Sequence, residues 1–176
     1  MPRFRAMAIA GRALHRADVA GGAEGRALFC GLPLPPMPTS AASLARAAGW
    51  LRSVPLDWAR IGAAIAFAPD GYARHTLAIE DGWEIALCCW LPGQGSLLHD
   101  HGLSVGIVRL LAGSLTETRY RPVECRLIEE PPRTFVAGET MCEERDAFHQ
   151  VSVAGPGPAI SLHLYNPPLL RSVVRH

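Results

Sequence analysis

Gly93-Gln94-Gly95-Ser96-Leu97-Leu98-His99-Asp100-His101, continued by Gly102-Leu103-Ser104-Val105-Gly106 and closed by Gly113, decides how the rest of the sequence is read. On a β-strand alternate side chains share a face. His99 and His101 therefore aim two imidazoles at one point, the geometry a metal ion needs. A third histidine, His149, lies in the strand-like stretch Ala147-Phe148-His149-Gln150-Val151. A second polar alternation follows in Ser161-Leu162-His163-Leu164-Tyr165, where Ser161, His163 and Tyr165 share one face and the two leucines the other. A lone strand histidine is more often a hydrogen-bonded structural residue than a ligand, so the weight rests on the pair and its glycine frame.

Outward from this stretch, short apolar runs alternate with turn signals. Residues 72–80, 83–91, 96–111, 115–120, 124–130, 148–153 and 159–165 are strand candidates. Asp81-Gly82, Pro92-Gly93, Ala112-Gly113, Pro131-Pro132, Ala137-Gly138 and Gly155-Pro156-Gly157-Pro158 punctuate them. Many short strands without interleaved helices predict an all-β sandwich or barrel over 69–176. The first 68 residues read as a helical segment packed on that barrel, within a single domain. Residues 1–20 suit a short amphipathic helix and 21–38 a Gly- and Pro-rich loop. Thr39 or Ser40 suits the N-cap of an Ala-rich helix ending near Arg52. Ser53-Val54-Pro55 suits the start of another, running to about Ala66.

Composition bounds the function. The chain has 176 residues, 49% of them hydrophobic, enough for one domain with a real core. A formal net charge of +1 gives no bulk attraction to nucleic acid or an anionic membrane, and no apolar run is long enough to span a bilayer. All 17 basic residues are Arg, a bias that speaks of a GC-rich bacterial source. The odd count of 5 Cys has no C-x-x-C pair, and the N-terminus has no signal peptide, so a reducing cytoplasm is expected. The first 17 residues carry 4 Arg and no acid, as a mitochondrial transit peptide would, but no Ser; a bacterial helix is the preferred reading.

The spacing Gly93, His99-x-His101, Gly106, Gly113 resembles the first motif of the cupin superfamily. One departure matters: the glutamate expected at Val105 or Gly106 is absent. Without it the site is three imidazoles with no carboxylate, leaving open positions that favour an anionic ligand such as a thiolate. The second cupin motif around His149 is degraded, lacking its usual Pro, Gly and Asn. His15, His75 and His176 compete poorly as ligands.

Leu87-Cys88-Cys89-Trp90-Leu91-Pro92-Gly93-Gln94-Gly95-Ser96-Leu97-Leu98-His99-Asp100-His101, then Leu111–Thr118, then Ser161-Leu162-His163-Leu164-Tyr165-Asn166-Pro167-Pro168 resemble, in this order, the cysteine dioxygenase family of thiol dioxygenases. The resemblance covers roughly 70–170 and implies a cupin jelly-roll β-barrel. It implies that His99, His101 and His149 bind Fe(II), and it maps Arg74, beside Tyr72, onto the arginine that grips the substrate carboxylate. It further implies a hydrogen-bonded relay from Ser161 through His163 to the Tyr165 hydroxyl. Mammalian members carry at Gly106 a cysteine that crosslinks to the tyrosine; Gly106 cannot, which resembles the bacterial form.

The implied activity is oxidation of a small thiol by O2 to its sulfinate. Arg74 favours L-cysteine over 3-mercaptopropionate, since many dioxygenases of the latter carry Gln there. The alternatives are another mercapto-acid substrate, a non-catalytic metal-binding cupin, or a zinc or nickel cupin. The five cysteines read as buried small residues rather than nucleophiles.

Overall fold

A computed structural model describes residues 24–124, 126–145, 147–169 and 173–174. The helix expected over 1–20, the transit-peptide question, His15, His176 and Cys125 fall outside them. Three helices come first: α1 (Glu24–Ala27), α2 (Ala41–Ser53) and α3 (Trp58–Ala63). Eleven strands follow: β1 (Ala73–Glu80), β2 (Trp83–Trp90), β3 (His99–Asp100), β4 (Val105–Ala112), β5 (Ser114–Val123), β6 (Arg126–Glu129), β7 (Arg133–Val136), β8 (Thr140–Glu143), β9 (Phe148–Val153), β10 (Ala159–Asn166) and β11 (Val173–Val174). The fold is all-β with N-terminal helices.

The strands form two antiparallel sheets. One runs β1-β2-β10-β4-β8; the other runs β11-β3-β9-β5-β6, with β7 also pairing β5. The first sheet is buried on both faces, and its sequence alternates accordingly. Ile85, Leu87, Cys89, Ile107, Leu162 and Leu164 pack with Phe29, Leu44, Leu51 and Ile61 of the helical layer. Cys88, Trp90, Val108 and Leu110 turn the other way and pack with Leu115, Phe135 and Val151 of the second sheet. Every residue of β2 is buried, which explains why its sequence is apolar throughout apart from Glu84.

The helical layer is pinned by polar contacts as well. Ser40 and Ser43 form a reciprocal capping box at the start of α2. From the outer face of β4, Arg109 Nη1 donates to the carbonyls of Leu51 (3.1 Å) and Val54 (3.0 Å), satisfying the end of α2. Trp83 Nε1 donates to Pro35 O at 2.8 Å and ties down the loop before α2.

Several expectations are corrected. The 21–38 segment is not all loop, since α1 lies within it. The third helix starts at Trp58, not near Pro55. Asp57 is its N-cap, accepting from the amides of Ala59 and Arg60, a stronger start signal than a proline. The single strand expected over 96–111 is two strands, β3 and β4. Between them Asp100 Oδ1 accepts the Gly102 amide at 2.9 Å and Gly102 takes φ +55°, turning the chain out of the ladder. Strands β7 and β8 are additional; both are only four residues long and flank the Ala137-Gly138 turn.

Candidate metal centre

Two elements of the second sheet bring the three histidines together. His99 on β3 pairs in register with His149 on β9, and His101 lies in the turn one residue beyond β3. Strand alternation therefore accounts for only part of the convergence; the Asp100-Gly102 turn completes it. The ring centroids lie 4.6 Å (His99–His149), 5.0 Å (His101–His149) and 5.0 Å (His99–His101) apart. One nitrogen from each ring falls within 4.8 Å of the other two.

Two of the three rings have their opposite nitrogen engaged. His99 Nδ1 lies 2.8 Å from Leu97 O, and His149 Nδ1 lies 3.0 Å from Glu117 Oε1. Glu117 is steadied in turn by Arg119, whose Nε is 3.0 Å from Oε2. Engaging Nδ1 fixes which nitrogen can face a metal. His99 Nε2 and His101 Nε2 stand 3.2 Å apart, and His149 Nε2 is buried with no aligned hydrogen-bond partner among the described residues. Burial pushes His99 down to about 4 and His101 to about 3, with the neighbouring imidazoles adding to it. Both are then neutral at pH 7, the form that ligates. Burial also pulls on His149, but Glu143 and Glu117 together hold it above the ordinary value. A buried, unpartnered Nε2 beside two neutral imidazoles fits a cation that takes nitrogen ligands.

The group of possible metal ligands holds no carboxylate among the described residues, but an unforeseen one lies beside it. Glu143, the last residue of β8, is 3% exposed and lies against the centre. Its Oε2 is 3.1 Å from His101 Nδ1, and its Oε1 is 4.0 Å from His149 Nε2. Sequence inspection missed it because β8 was not foreseen, although an acidic residue alternating with Met141 in a strand is the signal that could have found it.

The polar face of β10 points into the same pocket. Ser161 Oγ is 2.7 Å from His163 Nε2, and His163 Nδ1 is 2.9 Å from the Tyr165 hydroxyl. Trp90 Nε1 donates to Ser161 Oγ at 2.9 Å, and an indole can only donate. Accepting from Trp90 leaves the serine its proton and one lone pair for His163 Nε2; when the serine donates there, His163 Nδ1–H donates to the tyrosine oxygen and the phenolic hydrogen is free to donate into the pocket. His163 is held well below its usual value by burial, with Arg74 adding to it, so it stays neutral. Burial pushes Tyr165 well up, so the phenol keeps its proton.

Arg74 on β1 lines the pocket as well, its guanidinium carbon 5.7 Å from the Tyr165 ring centroid. Its Nη2 donates to Glu84 Oε1 at 2.7 Å and its Nη1 to Thr76 Oγ1 at 3.2 Å. Glu84 Oε2 also accepts the Leu169 amide at 2.9 Å. Tyr72 stacks on Trp90 with centroids 4.0 Å apart, and burial pushes its phenol up to about 12. Cys88 faces the pocket while Cys89 packs toward the helices. Burial pushes the Cys88 thiol up to about 12, so it is no nucleophile. Not every cysteine is buried: Cys30 is exposed and Cys142 partly so.

Comparison with known proteins places these features in context. The sequence profile of the family described as "Cysteine dioxygenase type I" matches residues 41–174. "Cysteine dioxygenase type 1" of Danio rerio is 32% identical over 124 residues, which cover 66% of this chain and 60% of the relative. The chain thus spans about 60% of the length of the curated relatives it matches. Two solved structures share the fold. TT1209 from Thermus thermophilus has a TM-score of 0.53 at 19% identity, covering 61% of this chain and 94% of that one. An uncharacterised Klebsiella pneumoniae protein with a double-stranded β-helix domain has a TM-score of 0.50 at 15% identity, covering 66% and 94%. Among the described residues no helix is long and apolar enough to cross a membrane.

Proposed function

Because the chain belongs to the cysteine dioxygenase type I family, we propose that it is a thiol dioxygenase that uses Fe(II) and O2 to oxidise L-cysteine to its sulfinate. The observation that carries this reading is the meeting of three histidines, an arginine and a relay-bound tyrosine around one pocket. His99, His101 and His149 hold the iron. The ferrous ion, when bound, supplies thiol deprotonation and dioxygen activation.

The chain's own residues bind and orient. Arg74 receives the substrate carboxylate. Two of its donors are spent on Glu84 and Thr76, which hold the planar fork in place and leave its other N–H groups for the ligand. The Tyr165 hydroxyl, 2.9 Å from His163 Nδ1, donates its proton toward the substrate. Tyr72 and Trp90 wall the pocket with a stacked aromatic pair. The reaction balances without a further reductant: sulfur gives up four electrons, O2 accepts them, and both oxygen atoms end on sulfur.

The test is stoichiometric. Protein loaded with Fe(II) should consume one O2 per L-cysteine and yield a product heavier by two oxygen atoms, read by mass spectrometry. His149→Ala should abolish it. Turnover of 3-mercaptopropionate with none of cysteine moves the substrate to the amine-free acid; no oxygen uptake with either thiol overturns the reading.

A further inference from the structure

The first motif would carry a carboxylate at position 105 or 106, and Gly106 has no side chain. The space is nevertheless filled. Gly106 on β4 pairs in register with Glu143 on β8 and, on its other side, with Tyr165 on β10. A Cβ built on Gly106 would lie 2.2 Å from Glu143 Oε2 and 3.0 Å from Tyr165 Cε1. The Glu143 carboxylate thus enters from the neighbouring strand into the volume that a side chain at 106 would occupy.

Two atoms there need each other. His101 Nδ1 and Glu143 Oε2 are both buried, both without an aligned hydrogen-bond partner among the described residues, and 3.1 Å apart. A small turn of the imidazole would align them as donor and acceptor. That pairing would make His101 the counterpart of its two neighbours, whose Nδ1 atoms already rest on Leu97 O and Glu117. Glu143 Oε2 stands on the Nδ1 side of the His101 ring, away from the edge by which His101 approaches His99 at 3.2 Å, while its Oε1 lies 4.0 Å from His149 Nε2.

We propose that Glu143 is a positioning residue of the metal centre: it supplies from β8 the carboxylate that position 106 lacks, accepts the His101 Nδ1–H, and holds Nε2 toward the ion without bonding the ion itself. Gly106 is glycine to leave that carboxylate room. This rests on the three-histidine metal site proposed above, but on neither the thiol nor the oxygen chemistry.

The test needs no turnover. Co(II) affinity of the full chain is measured by competition with a chromogenic chelator, together with the visible spectrum of the Co(II) protein. Glu143→Gln and Glu143→Ala should bind Co(II) about 10- to 100-fold more weakly and shift its ligand-field bands, with the circular dichroism of the metal-free proteins unchanged. Gly106→Ala should weaken binding similarly by displacing the carboxylate. Gly106→Ala combined with Glu143→Ala should be no weaker than Glu143→Ala alone.

Wild-type affinity and spectrum in both Glu143 variants overturn the proposal. So does X-ray absorption showing a Glu143-dependent oxygen bonded to the metal in the wild type. His99→Ala and His149→Ala are the controls. If they lose Co(II) and the Glu143 variants do not, only this inference fails; if they keep it, the metal site itself fails.

Discussion

At the scale of single residues, the relay and the arginine separate orientation from binding. Ser161 touches neither the proposed metal nor the substrate, yet it links the Trp90 indole to His163 and through it to Tyr165. Ser161→Ala leaves Trp90 Nε1 and His163 Nε2 buried without their partner and frees His163 to change tautomer. It should lower kcat for L-cysteine about tenfold while leaving KM nearly unchanged; an altered KM at full kcat would point to binding instead. Arg74→Gln should act the other way. Losing the charged fork should raise KM by about thirtyfold, equivalent to roughly 2 kcal/mol. Arg74→Lys should not restore it, because a single ammonium cannot reproduce the planar fork. Arg74→Gln also strands Glu84, whose side chain is 4% exposed, so its thermal midpoint should fall as well.

At the scale of elements, the five-stranded sheet holds the site because it is packed from both sides. Its helix-facing leucines are fully buried: Leu87, Leu162 and Leu164 are each 0% exposed. Leu164 sits between His163 and Tyr165 and packs into the helical layer while they face the pocket. Leu164→Ala should cost about 2–5 kcal/mol in urea unfolding, whereas Leu103→Ala, at a residue 76% exposed, should change stability by less than about 0.5 kcal/mol. The two-period alternation that makes this packing possible is also what made β9 and β10 legible in the sequence, together with the pocket-facing side of β10, whereas β2 was legible as an apolar run between two turn signals. The His99–His149 pairing was not legible, because register between strands far apart in sequence leaves no local trace. Strands β7 and β8 were hidden for a related reason: four residues between two turn signals carry too few alternations to read. Glu143 was lost with β8. The turn at Gly102 was overlooked because the His-x-His spacing already suited a continuous strand, and only the Asp100 side-chain bond shows why the chain leaves the ladder there.

At the scale of the whole molecule, the site opposes the fold's stability in acid, and the sign follows from the direction of each shift. His99, at about 4, and His101, at about 3, lie below the ordinary histidine value near 6.5, and His163 lies well below it. Between that ordinary value and about pH 4 the unfolded chain binds protons at these three positions that the folded chain refuses. Stability therefore rises with pH across this window and is lost on acidification. Glu143, raised by burial, and His149, raised by its carboxylate neighbours against the pull of burial, work in the opposite sense, because the folded state takes their protons first. Three imidazoles against one imidazole and one carboxyl predict a net loss, so the urea midpoint of metal-free protein should fall from pH 7.5 to pH 5. A divalent ion adds stability by mass action, since only the folded chain presents the three nitrogens together. Protons compete for those same nitrogens. His149, raised by its carboxylate neighbours, takes its proton first, whereas His99 and His101 stay unprotonated down to about pH 4, so the gap between metal-loaded and metal-free midpoints should narrow as the pH drops and remain open at pH 5. A metal-free midpoint that rises toward pH 5 would show that the Glu143–His149 pair outweighs the other three histidines, and a gap independent of pH would show that the stabilising ion sits on groups other than imidazoles.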